Sequence, residues 1–226
     1  MKDRKLGILV LIFYFIYSYI LIYVPLEIFS FDIRKFSVIE KTLYLLIFDL
    51  VFILILYFVY RKDLKTDLVD FKANYRSYLD TGFKYWVIAL IVMGASNYII
   101  QSFILDGIAA NEETVRSMLK DYPIYMMFGT CLYAPFVEEL IFRKSIKKII
   151  GFNYGFIFVS ALLFGSLHVI TSLTSPLDLL YIIPYSSIGF ALAFLYYKTK
   201  NIWSTITMHF IHNTLFITLQ LIVLFL

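Results

Sequence analysis

Seven stretches of this chain are apolar for close to the ~20 residues that a helix needs to cross a bilayer. They cover roughly 6–24, 43–60, 86–105, 122–142, 154–171, 177–197 and 202–226. In hydrocarbon, backbone N–H and C=O groups must be satisfied within the spanning structure, so continuous apolar runs of this length are helices. Hydrophobic residues make up 61% of the 226, more than the roughly 45–50% of a soluble domain. The expected fold is therefore all-α: a polytopic transmembrane helical bundle of seven or eight spans, forming a single membrane domain over 1–226. No repeat, Gly/Ser linker or separate soluble domain is visible. The first run is too long for the apolar core of a signal peptide and lacks a small-residue cleavage site, so it reads as a retained span.

Orientation follows from the basic residues. Fifteen of the twenty Lys and Arg fall in the N-terminus and the even-numbered connections, leaving five for the other side. The richer side is expected to be cytoplasmic, which places the N-terminus inside and the C-terminus outside. The net charge of +4 is thus an expression of topology, and no nucleic-acid partner is expected. Membrane lipid is the expected surrounding. Between the second and third runs, Leu64, Leu68, Phe71, Tyr75 and Leu79 recur at steps of three and four among charged residues. This pattern predicts an amphipathic helix on the inner membrane surface, or else a short soluble linker helix. The single cysteine, Cys131, has no internal disulfide partner and lies in an apolar run, so redox chemistry is not expected.

Against this background the buried titratable groups stand out, because a charge in hydrocarbon costs ~2.5 kcal/mol or more. Glu138 and Glu139 are adjacent, and Arg143 follows four residues after the second. On a helix, Glu139 and Arg143 share a face and can pair. Glu138 points ~100° away, and as a lone buried carboxylate it suits a general base. A solvated interfacial cluster is the alternative for these three, given Lys144, Lys147 and Lys148 directly after them. His168 sits in the fifth run beside the small residues Gly165 and Ser166, which permit close helix approach. His209, His212 and Asn213 share one face of the last run, suited to binding a substrate oxygen or a metal, or to interhelical hydrogen bonding. A glutamate with two or three histidines (Glu138, His168, His209) is an acceptable Zn2+ set. No His-Glu-x-x-His spacing supports it, however, and a metal-free site with no cofactor is equally consistent.

Glu138-Glu139-x-x-x-Arg143, Phe164-x-x-x-His168 and His209-x-x-x-Asn213 resemble, in order, the three signatures of the CPBP (CAAX protease and bacteriocin-processing, or Abi) intramembrane proteases. The approach Lys198-Thr-Lys-Asn-Ile-Trp203, after Gly189-Phe190, is also similar to that family. The resemblance covers roughly 126–219, within a catalytic half of about 122–226. It implies an intramembrane endopeptidase of the bacterial cell membrane, acting on a membrane-associated or prenylated peptide or protein. By position, Glu138 would be the base and His168 its partner in activating water. His209 and Asn213 would hold the oxyanion, Glu139 and Arg143 would brace the site, and His212 would be accessory. The family is often described as metalloproteases, although members resembling the prenyl endopeptidase are argued to need no metal. Other members resemble bacteriocin self-immunity or scaffold proteins, which keeps a non-catalytic binding role as the alternative. Lys144 stands where many members have glycine, and the N-terminal half carries no family signature. Counting residues from the basic loops places the site in the cytoplasmic half of the membrane, reached from the cytoplasm.

Overall fold

A computed structural model describes residues 2–225, and among them the chain is helical without strands. Met1 and Leu226, the last residue of the seventh expected span, lie outside the described residues. The helices are α1 (Lys2–Ile16), α2 (Val24–Ile28), α3 (Val38–Phe103), α4 (Ala110–Asp121), α5 (Pro123–Ile150), α6 (Tyr154–Ile170), α7 (Ile182–Thr199) and α8 (Ile202–Phe225). Among the described residues, five helical segments are long and apolar enough to cross a membrane: Asp3–Ile28, α3, α5, Pro176–Thr199 and Ile202–Leu224. Helix α6, at 17 residues, is shorter. Its start is fixed by Asn153, whose side chain accepts from the Phe156 N–H at 3.0 Å. The turn between α7 and α8 passes through Lys200 in the left-handed region, φ 55°.

The main departure from the sequence reading is α3. The second run, the charged connection and the third run form one uninterrupted 66-residue helix. Between 61 and 81 the chain has no proline or glycine to break it, and it opens with a capping box in which Ser37 and Glu40 satisfy each other's backbone N–H. At 1.5 Å per residue such a helix measures about 99 Å, some three times a hydrocarbon core. Its first arm runs beside α5, from Lys41 at Tyr122 (3.3 Å) to Tyr60 at Ser145 (2.7 Å). Its second arm runs beside α8, with the Trp86 indole donating to His212 at 3.0 Å. The charged middle passes the end of the bundle where α5 finishes and α8 starts. There Asp67 accepts from Lys144 Nζ at 3.1 Å and from the Ile202 N–H at 3.3 Å. The two ends of this segment's apolar stripe pack on protein, Leu64 buried in the core and Leu79 against the cluster that contains Leu192, Leu195 and Met208, while Tyr75 between them stays exposed.

Helices α5 and α8 are antiparallel. Lys144 sits near the start of α8 through their shared partner Asp67, while Asn213, a dozen residues further on, reaches back to Thr130. Helices α6 and α7 complete the core and touch through glycine. A Cβ on Gly189 would meet the Ala161 carbonyl oxygen at 2.9 Å, and one on Gly165 would meet the Ser186 backbone nitrogen at 2.7 Å. The close approach expected at Gly165 is therefore made, with α7 as the neighbour. Since neither obstacle is a flexible side chain, Gly189→Val is expected to destabilise the protein by about 1–3 kcal/mol through overpacking. Thermal unfolding of the purified protein in detergent reads this, and an unchanged midpoint contradicts it.

Candidate active site

Helix α5 carries the acidic pair, and its backbone is irregular where the site is built. Two widened turns, Gly129–Tyr133 and Glu139–Ser145, flank Pro135 and Glu138. Widened turns of this kind recur at functional sites. Proline explains part of the first one. The Ala134 N–H bonds the carbonyl of Gly129 rather than that of Thr130, and Pro135, next in line, has no N–H to offer. The Thr130 carbonyl is therefore left for an outside donor, which is Asn213 Nδ2 at 2.7 Å.

Around Glu139 the polar groups are fully enclosed. Arg143 Nε lies 3.1 Å from Glu139 Oε2, with neither side chain exposed to solvent. The guanidinium also caps the Phe164 ring, 4.7 Å from its centroid, and donates to the Gly189 carbonyl at 3.4 Å. Glu139 Oε1 accepts from His209 Nδ1 at 2.9 Å. The other nitrogen of that ring, Nε2, faces Glu138 Oε2 at 3.9 Å. Glu138 differs from its neighbour in being 19% exposed at the side chain. It looks into a cavity of about 680 Å³ that is also lined by Phe164, His168, His209, His212 and Asn213.

The hydrogen bonds of the three histidines fix which nitrogen carries the proton in each neutral ring. His168 Nδ1 is 2.8 Å from the Phe164 carbonyl, which only accepts, so Nδ1 is the donor and Nε2 keeps a free lone pair. The ring is stacked on Tyr185, with centroids 5.1 Å apart. His209 donates from Nδ1 to a carboxylate. His212 accepts at Nδ1 from Trp86, so its Nε2 is a donor. The structure thus places Glu138, His168, His209, His212 and Asn213 on one cavity, with Glu139 and Arg143 behind it. The expected Glu139–Arg143 pair forms, and the solvated-cluster alternative does not hold for it. Trp86, Thr130 and Tyr185 were not anticipated; Trp86 could have been suspected as an indole in an apolar run, while the other two carry no sequence signal. Among the described residues, no group of three or more His, Cys, Asp and Glu is placed to hold a metal ion.

One expectation is reversed. The cavity leads away from the lysine-rich end, towards Asn111, Glu112, Val115 and Arg116 of α4 and Gln220, Val223 and Leu224 of α8. The depth count anticipated access from the basic side. It could not include α4, a 12-residue polar helix folded over the opposite end.

Residues 120–215, which hold all three motifs, match the sequence profile of the family described as Type II CAAX prenyl endopeptidase Rce1-like. This stretch is similar to that Rce1-like family, and the match covers less than half of the chain. Two curated relatives agree with the resemblance seen in the motifs. YdiL of Bacillus subtilis, whose description gives membrane peptidase as a provisional assignment, is 32% identical over 114 residues, 49% of this chain and 43% of that protein. The UPF0177 protein YvdC of Lactococcus lactis is 26% identical over 187 residues, 80% of this chain and 68% of YvdC. The chain thus spans less than half of the first relative. No solved structure matches it.

Within the Rce1-like segment the Glu139–Arg143 pair is the clearest energetic element. Leaving one member of a buried ion pair alone typically costs about 3–5 kcal/mol, whereas replacing both by apolar groups is often nearly neutral. Arg143→Met is therefore expected to lower the unfolding midpoint strongly, and the double variant Glu139→Leu/Arg143→Met to recover much of the loss. Chemical denaturation of the three proteins in detergent checks this; additive losses contradict it.

Proposed function

We propose that this chain is an intramembrane endopeptidase that hydrolyses a peptide bond of a membrane-associated peptide or protein in the cavity bounded by Glu138, His168, His209 and Asn213. The observation that carries this reading is the division of labour between the two adjacent glutamates. Glu139 is fully enclosed and committed to Arg143 and His209. Glu138 faces the cavity, and among the described residues its Oε2 makes no hydrogen bond to protein. A carboxylate so placed can take a proton from water, and His168, with its Nε2 lone pair free, is the second acceptor on the same cavity. The ring of His209, which gives its Nδ1–H to Glu139 and turns Nε2 towards Glu138, and the carboxamide of Asn213 stand where the oxyanion develops, His209 donating from Nε2 once a proton has been passed to that nitrogen. The His212 Nε2–H is a further donor on this wall. Glu138 then returns its proton to the leaving amine.

The family match and the provisional peptidase assignment of YdiL support this chemistry. Zn2+ is not required by any step so derived. The same reading extends to topology: seven crossings in a bacterial cell membrane, two of them supplied by the arms of α3, with its charged middle at the inner surface. The N-terminus would be cytoplasmic and the C-terminus outside. The alternation is supported by contacts, since Asp3 meets Lys148 at 2.9 Å and Asp63 meets Lys144 at 3.3 Å, gathering basic connections at one end.

Purified wild type and Glu138→Gln, incubated with a panel of fluorogenic membrane-segment peptides, test the proposal. Loss of a general base typically costs about 10²–10⁴-fold, so cleavage by Glu138→Gln is expected to fall by at least that much while its unfolding midpoint is kept. Chelator treatment of the wild type is expected to leave the rate unchanged. Full activity of Glu138→Gln sinks the mechanism. If no peptide in the panel is cut while the protein retains its cellular effect, the non-catalytic binding role takes its place.

A further inference from the structure

Beyond the reacting end, the cavity wall changes character. It is lined by the side chains of Asn97 and Gln101 from α3, Asn111 from α4, and Asn213 and Gln220 from α8. Asn97 and Gln101 are four apart on the second arm of α3, and Asn213 and Gln220 are seven apart on α8, so each pair projects along one helix face. Asn97 and Gln101 lie in an apolar run and precede the Rce1-like segment, which begins at 120. Uncharged polar side chains at such positions either bond across to a neighbouring helix or line a path for substrate, and these two line the cavity. One of these carboxamides is also incompletely used. Gln220 Nε2 donates to Glu112 at 2.6 Å, but its buried Oε1 meets no donor among the described residues.

A peptide bond can be hydrolysed only after the surrounding helix is unwound, and in a water-poor cavity each freed N–H and C=O then needs a partner. A carboxamide offers two donors and an acceptor without charge, and so can pair with either backbone group whatever the substrate's side chains. A lysine or glutamate would satisfy only one of them. We propose that Asn97, Gln101 and Gln220 form a backbone-binding subsite for an unwound peptide segment lying between Glu138 and α4. The N-terminal half thereby contributes to substrate binding, and selection rests on ease of unwinding more than on side-chain identity. The inference takes its ligand class from the endopeptidase reading.

Binding and cleavage are separated by working in the full-length Glu138→Gln protein in nanodiscs. The probes are a fluorescein-labelled 24-residue Leu/Ala peptide with a central Gly-Gly-Ser, and the same peptide N-methylated at its central amides. Replacing Asn97 and Gln101 together by leucine is expected to weaken binding of the first probe by about tenfold or more. The N-methylated probe, which keeps its carbonyls but loses the amide donors, should lose clearly less affinity between parent and variant. The swap Asn97→Gln/Gln101→Asn, which keeps both carboxamides, should retain most of the affinity. Parent-like affinity of the leucine variant for the first probe overturns the proposal. So does an equal loss for both probes, which marks a structural effect, and so does failure of the parent to bind the first probe. If binding follows the expected pattern but wild type cleaves neither peptide, the subsite stands and the hydrolytic reading is what fails.

Discussion

The rest of the site depends on one enclosed group of charges: Arg143 against Glu139, and Glu139 against His209. None of the three side chains is more than 3% exposed. An arginine placed there alone would be prohibitive, and a carboxylate alone nearly so; each is tolerable because the other is within about 3 Å. The pair also joins elements far apart in sequence. Through Glu139 it fixes the ring plane of His209 on α8, and through the guanidinium it grips the Gly189 carbonyl of α7 and the Phe164 ring of α6. The four helices α5 to α8 thus meet at one cation. Glu138 inherits its position from this arrangement: with Glu139 turned inward, the adjacent side chain has the cavity left to face.

A second polar junction closes the other end of the bundle. Lys144 is almost fully buried and reaches Asp63 and Asp67 on α3. Asp67 also receives the Ile202 N–H at the start of α8, and its carbonyl accepts from Asn201, which in turn bonds Asp70. A helix start leaves backbone N–H groups without intrahelical partners, and a carboxylate is well suited to answer them. The lysine therefore adds a tie between α5 and the long helix that glycine could not make, and sets the register of α8 from which His209 projects.

Much of this was legible in the sequence, and what was not has physical causes. Helical spans follow from run length alone, and the pairing of Glu139 with Arg143 follows from a spacing of four. The same spacing argument put His209 and Asn213 on one face. It could not show that His209 turns its Nδ1 to Glu139, because that contact joins residues 70 positions apart. The continuity of α3 was missed for a different reason. Charge was read as a break between spans, but Lys, Arg and Asp do not break helices, and only glycine or proline within 61–81 would have justified that reading. The direction of the cavity was missed because it is set by α4, whose contribution arises only from where the chain folds over.

The three histidines show how identical residues acquire different roles from what stands behind them. His168 spends its Nδ1–H on a carbonyl one turn back on its own helix, so its orientation is a local property of α6 and survives movement of the neighbours. His209 is oriented by a carboxylate on α5, so its ring responds to any shift between α5 and α8. His212 takes its orientation from Trp86 on α3, outside the family segment. A histidine hydrogen-bonded by a donor behaves as an acceptor at that nitrogen and a donor at the other, the reverse of its two companions. The wall facing Glu138 therefore combines a proton acceptor, a ring poised between two carboxylates and an N–H donor. That asymmetry is what separates a site able to move a proton one way and stabilise charge another from three buried rings that merely glue helices together.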